Sequence, residues 1–524
     1  MIRRHFATAI LAGLLALGIP SVQAATAPTA ATAAPTQAAP SGVWYEIFVR
    51  SWYDTNGDGI GDLDGVTAKL DYLQSLGVSG IWLMPINPSP SYHGYDVTDY
   101  QAVNPQYGTL ADFRRLADEA HRRGIRVIID MVINHTSDRS PWFKAALDPK
   151  SPYRDWYTWA GKYTDLDSPS AAGDRAWQAA GKQHYLGIFA SSMPDLNYDN
   201  PAVRAEMIKV GRFWLKQGAD GFRLDAARHI YENFRWDVDD PAALAKNLDW
   251  WNAYRRGLDA VNPHAYLVGE VTQPAATDLA PYLKPLDAVF DFPLAAQLIE
   301  AAKSERNQGL GPTLDRTYAA YQAVGGRPIK DAPFLSNHDQ ERVMSQLDGN
   351  PQHMRMAAAM LLTLPGEPYV YYGEELGTLG RKPDPALREP MRWARSTKAK
   401  GETTWEATDP ANGAAVSVEA EQADPHSLLH LYTRLIHWRS EVPALRDGGF
   451  RAYPEASDQL AAWERTAGRD TVLVVHNLSG TAQTMALDVP GEPRFTHVLK
   501  QTGPGVAIHG GALSVPAYTS VVLQ

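Results

Sequence analysis

Acidic side chains stand at the ends of three apolar, strand-like segments of this sequence. Asp225 and Glu270 each end such a segment, and Asp339 comes two residues after a third. Two carboxylates held about 5 Å apart can act as nucleophile and acid/base in the cleavage of a glycoside with net retention. Arg223 lies two residues before Asp225, and on a strand this spacing puts both side chains on one face. The guanidinium can therefore keep Asp225 ionised and hold its carboxylate in a fixed orientation.

Further polar residues follow the same strand-like segments. Asp130, Asn134 and His135 come at the end of the third segment, and His338 stands beside Asp339. A third carboxylate, Asp339, would hold sugar hydroxyls and stabilise positive charge in the transition state, and the two histidines would donate hydrogen bonds to those hydroxyls. One isolated aspartate is explained better as a helix cap or a solvated loop charge. A set that also contains an arginine and two histidines favours an active site.

The elements that must position these residues alternate along most of the chain. Runs with the apolar spacing of an amphipathic helix occupy 63–76, 110–123 and 202–216. Eight strand-like runs occupy 43–50, 78–85, 125–132, 221–225, 265–270, 288–292, 332–337 and 368–372. Strands that alternate with helices predict an α/β fold with a parallel sheet, and this number of repeats indicates a (β/α)8 TIM barrel. In such a barrel the carboxyl ends of the strands form the active face.

Two regions depart from this alternation. Residues 136–199 contain no clean strand–helix unit but are rich in Trp, Tyr, Ser, Pro and Gly, which predicts a B domain inserted after the third strand. After a helix at 428–439 the chain contains short β-type runs separated by Gly and Pro, which predicts an all-β sandwich at 446–524. The catalytic barrel is accordingly assigned to 42–135 and 200–445.

The first 24 residues are typical of a signal peptide. Arg3 and Arg4 supply the positive start, 9–19 the apolar middle and 22–24 the small residues of a cleavage site. The apolar run is too short to span a bilayer stably, and the alternative is a buried N-terminal helix. Residues 25–41 are an Ala/Thr/Pro linker that we expect to be disordered. The sequence therefore predicts a secreted protein, extracellular or periplasmic, with no membrane contact after signal cleavage.

The composition narrows the choice of partner. The net charge is −10 and no long basic run occurs, so nucleic acid is not expected as a partner. The chain has no cysteine, which excludes disulfides, and bound cations are then a candidate source of rigidity. A neutral substrate and a monomeric protein are expected.

Five short motifs resemble family 13 of the glycoside hydrolases, the α-amylase family. They occur in family order at 130–135 (Asp-Met-Val-Ile-Asn-His), 193–197 (Met-Pro-Asp-Leu-Asn), 221–229 (Gly-Phe-Arg-Leu-Asp-Ala-Ala-Arg-His), 268–271 (Val-Gly-Glu-Val) and 334–339 (Phe-Leu-Ser-Asn-His-Asp). The resemblance implies that Asp225 forms the covalent glycosyl-enzyme, that Glu270 protonates the leaving oxygen and that Asp339 stabilises the transition state. The Met-Pro-Asp-Leu-Asn motif is typical of an intermediate group that contains neopullulanases and some amylases.

The resemblance also implies substrate-binding residues. His135, Arg223 and His338 would line the sugar subsite at the nucleophile, and the ring of Tyr95 would lie under that sugar unless it is an ordinary packing residue. Two more sets would bind sugars further along the chain. These are Asp384 with Arg388 on one side of the scissile bond, where the alternative is an exposed ion pair, and Arg228 with His229 on the leaving-group side.

The segment 54–62 has the composition of a calcium loop. Asp54, Asn56, Asp58, the Ile60 carbonyl and Asp62 place oxygen ligands at every second position. The loop is not an EF-hand, because its twelfth position is Gly rather than Glu, and the alternative is a polar Asn-Gly turn. The resemblance implies a second Ca2+ site, formed by Asn134, Asp195 and the carbonyl of His229.

These observations favour endo-hydrolysis of α-1,4 bonds in starch and maltooligosaccharides. A signal peptide suits a polymer that cannot enter the cell. The alternatives on the same site are a neopullulanase or cyclomaltodextrinase, an oligo-1,6-glucosidase and a trehalose synthase. A non-catalytic sugar-binding protein would be expected to lack one or more of the three acids, and all three are present.

Overall fold

The computed structural model describes residues 42–170, 174–231, 240–326, 329–454 and 457–524. The predicted signal peptide and linker, 1–24 and 25–41, lie outside the described residues. Across these ranges, no helix combines the length and the apolar character that a membrane span requires.

The strands divide into a parallel sheet, an inserted hairpin and two antiparallel sheets. They are β1 (Trp44–Ile47), β2 (Gly80–Leu83), β3 (Arg126–Met131), β4 (Trp177–Ala180), β5 (Gln183–Leu186), β6 (Gly221–Leu224), β7 (Tyr266–Gly269), β8 (Ala288–Val289), β9 (Tyr369–Tyr371), β10 (Gly449–Ala452), β11 (Leu460–Ala467), β12 (Asp470–Asn477), β13 (Gln483–Ala486), β14 (Val498–Gln501), β15 (Ala507–His509), β16 (Ala512–Val515) and β17 (Ser520–Leu523).

The helices surround the parallel sheet. They are α1 (Leu63–Ala68), α2 (Leu70–Leu76), α3 (Leu110–Arg122), α4 (Pro141–Ala146), α5 (Pro201–Gln217), α6 (Pro241–Asp259), α7 (Phe292–Ser304), α8 (Leu310–Gly325), α9 (Val343–Gln346), α10 (Pro351–Thr363), α11 (Asp384–Leu387), α12 (Val418–Ala423), α13 (Leu428–Glu441) and α14 (Pro443–Asp447). Short 3₁₀ helices occupy Val49–Ser51, Arg154–Trp156, Ala276–Leu283 and Glu374–Leu376.

The parallel sheet is the predicted barrel. Its strands pair in the order β8-β7-β6-β3-β2-β1-β9. The circle closes through residues 332–333, because the Ala332 amide donates to the Val289 carbonyl (3.0 Å) and the Tyr369 amide to the Pro333 carbonyl (2.9 Å). The predicted (β/α)8 barrel is thereby confirmed. The predicted strand at 332–337, however, forms only one isolated bridge, between Ala332 and Phe290. Pro333 has no N–H to donate to a ladder.

Two other predicted elements differ in length. The strand predicted at 288–292 ends at Val289, because the Asp291 carboxylate accepts the Leu294 amide and caps α7. The helix predicted at 63–76 is two helices that meet at Lys69, which leaves the helical conformation at ψ 8°. The Lys69 ammonium lies 4.1 Å from the ring centres of both Tyr53 and Trp393. This cation–π contact offers a reason for the break.

The last residues of the inserted segment attach it to the end of β3. β4 and β5 pair antiparallel, and isolated antiparallel bridges join His135 to Asp195 and Tyr157 to Leu196. These bridges place the end of β3 beside the Met-Pro-Asp-Leu-Asn segment. The Met-Pro-Asp-Leu-Asn segment therefore lies at the same barrel face as the polar strand ends.

The C-terminal region is a sandwich of a five-stranded sheet, β10-β11-β12-β17-β14, and a three-stranded sheet, β13-β16-β15. Successive residues of β11 point to opposite faces. Leu460 and Ala462 contact the core between the two sheets, whereas Ala461 and Trp463 pack into the main barrel core. The predicted all-β sandwich is confirmed, and its larger sheet is buried on both faces.

Candidate active site

Arg223 is the centre of the polar network at the barrel mouth. It lies on β6, is 1% exposed and has carboxylates on both ends of its guanidinium. Nη1 donates to Asp225 (2.5 Å) and to both oxygens of Asp130 (3.0 and 3.1 Å), and Nη2 donates to Glu270 (2.6 Å). The fixed fork of a guanidinium keeps the bonded oxygens of Asp225 and Glu270 within roughly 7 Å of each other.

The turn after β6 also contributes a donor to Glu270. Ala226 has a φ of 46°, a left-handed conformation that is costly for a residue with a side chain. In this conformation its amide donates to Glu270 Oε2 at 3.1 Å. One carboxylate oxygen of Glu270 thus accepts hydrogen bonds from both the Arg223 guanidinium and the Ala226 amide. These two bonds fix the orientation of the carboxylate beside Asp225.

Burial and charge compete at these carboxylates. Burial raises the pKa of Asp225, and Arg223 opposes that shift. Burial also raises the pKa of Glu270; Arg223 opposes this shift as well, while the charges of Asp225 and Asp339 add to it. Burial raises the pKa of Asp130 to about 7 despite its contact with Arg223. A raised pKa suits Glu270 to hold a proton for a leaving group, whereas the contact with Arg223 favours the ionised form of Asp225.

A second network joins Asp339 to the floor of the mouth. His338 Nδ1 lies 2.6 Å from Glu46 Oε1, and its Nε2 lies 3.1 Å from Asp339 Oδ2 and 2.6 Å from the Tyr95 hydroxyl. Burial lowers the pKa of His338, but the Asp339 and Glu46 carboxylates outweigh it and raise that pKa to about 9. His338 is therefore a cation near neutral pH.

Asp339 is the most exposed of the three acids, with 46% of its side chain accessible. Desolvation raises its pKa, but His338 and Arg388 outweigh that effect and hold the pKa well below its usual range. Asp339 is thus an ionised group that faces the open cleft.

Tyr95 belongs to this network, and His135 is joined to it through Tyr95. The Tyr95 hydroxyl donates to Asp130 (3.0 Å), and its ring stacks on His338 at 5.4 Å and 10°. His135 Nε2 lies 3.0 Å from the Tyr95 carbonyl. Burial lowers the pKa of His135 to about 4, so this ring is neutral where His338 is charged.

The outer residues predicted on one side are connected to the centre. Arg388 donates to Asp339 (2.9 Å), to Asp384 (3.4 Å) and to the Tyr92 hydroxyl (3.3 Å). Asp384 also pairs with Lys382. Arg388 itself is buried, so Asp384 is the member of the pair that is accessible from the cleft.

The residues predicted on the other side follow the turn after β6. The Arg228 guanidinium donates to the carbonyl of Thr272, two residues after Glu270 in the chain, at 2.7 Å. The His229 ring meets the ring of Phe189, from the inserted segment, at 5.5 Å. Neither of these two contacts involves Asp339 or Arg388.

The two predicted calcium sets are placed differently. In the loop 54–62, Asp54 accepts the amides of Asn56, Gly57 and Gly59, and Asp62 accepts that of Thr55. Hydrogen bonds within the loop close it, and Asn56 and Asp58 are the exposed residues among its predicted ligands. The loop also touches a later segment, since the Thr404 amide donates to the Gly59 carbonyl at 2.8 Å.

The second set comes together at the base of the inserted segment. Asn134 Nδ2 donates to Asp195 Oδ1 at 3.2 Å, and both residues line one cavity of about 370 Å³ with His229. Within the described ranges no three His, Asp or Glu side chains form a group that could hold a metal ion on their own. Both predicted sets rely instead on amide and carbonyl oxygens in addition to carboxylates, and an all-oxygen donor set fits a hard cation such as Ca2+.

Some site residues were missed by sequence reasoning. Glu46 is an acidic residue in the otherwise apolar, fully buried strand β1, and that mismatch was the available signal. Trp82 donates to Asp130 from β2, and nothing in its strand distinguishes it from a core residue. Phe189 lies in a loop whose position depends on the inserted segment, so no pattern in the sequence assigns it.

The chain matches two family models. One is described as "Alpha amylase, catalytic domain" and matches residues 46–448, and the other as "Alpha-amylase SusG C-terminal domain" and matches residues 460–522. The first model includes every strand end described above.

Individual proteins are also similar along most of their length. Alpha-amylase 3 of Dictyoglomus thermophilum is 39% identical over 446 residues, which cover 84% of this chain and 85% of that protein. A trehalose synthase/amylase of Mycobacterium tuberculosis is 33% identical over 522 residues, which cover 87% and 84%. The crystal structure of an alpha-amylase from H. orenii has a TM-score of 0.85 at 43% identity and covers 92% of this chain and 99% of that one.

Proposed function

This chain belongs to the α-amylase family of glycoside hydrolases, and from that premise we propose that it hydrolyses internal α-1,4 bonds of starch and maltooligosaccharides with retention of configuration. The observation that carries the proposal is the shared guanidinium of Arg223. It contacts Asp225 at one nitrogen and Glu270 at the other. The resulting limit of roughly 7 Å includes the spacing of retaining enzymes and reaches only the lower edge of the inverting range.

In the proposed reaction Asp225 attacks the anomeric carbon while Glu270 gives its proton to the leaving glycosidic oxygen. This step produces a covalent glycosyl-enzyme and releases the sugar chain that carries the leaving oxygen. Glu270 then takes a proton from water, the water oxygen bonds to the anomeric carbon, and the bond to Asp225 breaks. Asp339, ionised and facing the cleft, stabilises the positive charge that develops on the sugar.

Internal cleavage requires sugar contacts on both sides of the scissile bond, because remote binding energy positions and distorts the central sugar. Asp384, through Arg388, is connected to Asp339 on one side. His229 and Arg228 lie beyond the β6 turn on the other. This arrangement supports an open cleft rather than a pocket closed at one end.

The test is a time course on soluble starch. An open cleft predicts that viscosity and iodine staining fall well before reducing sugar accumulates, with maltose and maltotriose as the main final products. Proton NMR of fresh mixtures should show the α-anomer first. Glucose released alone from the start, with staining intact, would refute endo-cleavage.

A second candidate is supported by one of the relatives, whose name combines trehalose synthase with amylase. Conversion of maltose to trehalose without net release of glucose would favour that activity. Faster turnover of pullulan or cyclodextrin than of starch would favour a neopullulanase-like activity instead.

Calcium is the cofactor that we propose. Asp54, Asn56, Asp58, the Ile60 carbonyl and Asp62 would hold one ion, and Asn134, Asp195 and the His229 carbonyl a second. When bound, the ions would stabilise the native state and tie the inserted segment to the barrel. Equilibrium dialysis followed by metal analysis should find calcium retained, and a metal-free protein of unchanged stability would refute the proposal.

Secretion and a monomeric state complete the proposal. Arg3, Arg4 and the apolar run at 9–19 support export, and a polymeric substrate outside the cell is consistent with it. N-terminal sequencing of the exported protein should begin after residue 24. Light scattering should give the mass of one chain.

A further inference from the structure

Glu46 is a carboxylate in the interior of the barrel, where the neighbouring side chains are apolar. It lies on β1, and Trp44, two residues earlier on the same face of the strand, packs with Trp82 and Phe290 in the barrel interior. Glu46 is 2% exposed. An isolated charge at such a depth is strongly unfavourable, so this carboxylate requires a cationic or hydrogen-bonding partner.

The partner of Glu46 is the ring of His338, which is fully buried. Glu46 Oε1 and His338 Nδ1 are 2.6 Å apart, and the rings of Trp82 and His338 meet edge to face at 5.5 Å. The Arg388 guanidinium holds the backbone of this residue, because it donates to the His338 carbonyl at 2.9 Å. The ring is therefore fixed in place, and what it can do depends on where its protons are.

The opposite nitrogen of this ring faces two groups that accept a hydrogen bond. His338 Nε2 lies 3.1 Å from Asp339 Oδ2 and 2.6 Å from the Tyr95 hydroxyl. The hydroxyl has one proton, which it donates to Asp130 at 3.0 Å. Its oxygen therefore accepts from the ring, and Nε2 must carry a proton.

The proton on Nδ1 decides whether Nε2 can act as that donor. In a neutral imidazole one nitrogen is a donor and the other an acceptor. A neutral His338 that donated from Nδ1 to Glu46 would present a lone pair at Nε2, facing the Asp339 carboxylate. Tyr95 would then donate to the ring, and Asp130 would lose the hydroxyl as a donor. A ring that is protonated at both nitrogens avoids this reversal, and the negative charge of Glu46 stabilises it.

We propose that Glu46 is a positioning residue that keeps both ring nitrogens of His338 protonated and so directs the hydrogen bonds that hold Asp339 and Tyr95. Where it concerns turnover, the inference rests on the proposed function. The protonated ring keeps Asp339 ionised and oriented, and Asp339 is the acid that stabilises positive charge on the sugar. Tyr95 is left free to donate its proton to Asp130.

The charge of His338 depends on several groups besides Glu46. Burial lowers the pKa of this ring, but the Asp339 and Glu46 carboxylates outweigh burial and raise the pKa to about 9. The other charged or titratable groups around the ring and its two carboxylates come from separate elements and are Tyr95, Asp130, Arg223, Asp225 and Arg388. These groups are retained when Glu46 alone is substituted, so a change in the titration of the ring reports the charge of Glu46.

The first test follows the His338 ring by NMR of protein that carries isotopically labelled histidine, with His338→Asn used to assign its signals. In the wild type both ring nitrogens should be mostly protonated at about pH 8. Glu46→Gln keeps the shape of the side chain and removes its charge, so deprotonation should occur at least about one pH unit lower. Glu374→Gln, at a buried carboxylate bonded to Tyr432, is the matched control and should leave the titration unchanged.

The second test measures turnover of soluble starch. Glu46→Gln should lower kcat by at least about tenfold and change KM by less than about twofold, because it acts on the transition state through Asp339. The alkaline limb of the pH profile of kcat should move to lower pH. In a His338→Gln background, where the ring is absent, adding Glu46→Gln should change kcat by less than about twofold.

Three results would overturn the inference. A wild-type His338 that loses a proton near the ordinary histidine value would show, whether or not the variant folds, that Glu46 does not keep the ring charged. Wild-type kcat and pH profile in Glu46→Gln would show that the charge is not used in the reaction. An equal loss with and without the His338 ring would show that Glu46 acts independently of it. If the wild type does not hydrolyse α-glucans, the proposed function fails, while the titration of His338 still decides the role of Glu46.

Discussion

Among the places around the barrel where carboxylates are buried, two differ clearly in the partners of those carboxylates. At the mouth, Asp225 and Glu270 share the guanidinium of Arg223. Directly after β9, Glu374 accepts the Tyr432 hydroxyl at 2.8 Å, and Glu375 accepts the hydroxyls of Tyr45 and Tyr72 at 2.6 Å each. In the part of the chain that the structure describes, neither Glu374 nor Glu375 forms an ion pair.

This difference in partners has consequences for protonation. Burial raises the pKa of Glu374 to about 8, so that it holds a proton at neutral pH. At the mouth, Arg223 opposes the effect of burial on the pKa of Asp225 and of Glu270. At Asp339, His338 and Arg388 outweigh the effect of desolvation and lower the pKa. A carboxyl group with a fixed cation beside it remains available for chemistry, whereas one with only hydroxyl partners serves as a structural proton donor or acceptor.

The largest effect is expected from neutralising the mouth acids one at a time. Asp225→Asn, Glu270→Gln and Asp339→Asn should each lower kcat on starch by at least about 10³-fold, because each removes a group that acts in the transition state. The measurement is the initial rate of reducing-end release, with circular dichroism to check folding. Glu374→Gln is the matched control and should keep its activity. Near-normal turnover by any one of the mouth variants would refute its assigned role.

The next effect concerns stability and compares the two kinds of partner directly. Arg223→Met leaves Asp130, Asp225 and Glu270 without their common cation, and breaking a buried ion pair costs about 3–5 kcal/mol. Tyr432→Phe removes one hydroxyl partner from Glu374 and should cost only about 1 kcal/mol. Urea denaturation of both variants measures the free energies of unfolding. Equal losses would mean that the charge of Arg223 contributes nothing beyond a hydrogen bond.

The sequence predicted the acids at the barrel mouth better than it predicted the burial of Glu374 and Glu375 after β9. Asp225, Glu270, Asp339, Arg223 and His338 stand at strand ends, and the barrel fold brings strand ends together whatever the detailed packing. Glu374 and Glu375 look like ordinary surface acids in the sequence. Their burial depends on α13, which covers them from far along the chain.

Local deviations of the fold from the prediction have two different causes. The ladder at 332–337 is reduced to one bridge by the missing donor of Pro333, and the helix at 63–76 breaks where Lys69 meets the rings of Tyr53 and Trp393. The first reason is visible in the sequence, but the second requires a contact between residues more than 300 positions apart. Phe189 and Glu46 were missed for this second reason, since tertiary contacts alone give them a place in the site.

A third group of acids, in the loop 54–62, sharpens the comparison because its partners are backbone amides. If a bound cation supplies the missing charge, chelation should lower the melting temperature. A ligand at a hundredfold excess over its dissociation constant contributes roughly 2.7 kcal/mol. Asp58→Ala should remove part of the response to chelator in differential scanning calorimetry. Asp64→Ala, which removes an exposed ion pair with Arg115, should leave it unchanged. Identical melting curves with and without chelator would contradict a cation role for this loop.

The smallest expected effect is the pH dependence that Glu374 imposes on stability. Its folded-state pKa of about 8 lies above the ordinary glutamate value of 4.5, so the folded protein binds this proton more tightly than the unfolded chain. The stability that the proton contributes is complete below about pH 4.5 and is lost as the pH rises toward 8. Asp339 acts in the opposite sense, because its pKa is depressed and its contribution is lost as the pH falls.

Glu374→Gln keeps the shape of the side chain and removes the titration. Between pH 5 and pH 6.5 the wild type should lose roughly 2 kcal/mol more of its free energy of unfolding than this variant. Urea denaturation at several pH values gives both profiles, and Glu300→Gln, at an exposed position of α7, is the control that should follow the wild type. Parallel profiles for the wild type and Glu374→Gln would show that Glu374 is ionised in the folded protein. In that case Glu374, whose partner is a hydroxyl group, would be charged like the acids that have a cation beside them. The proposed difference between the two kinds of partner would then be wrong.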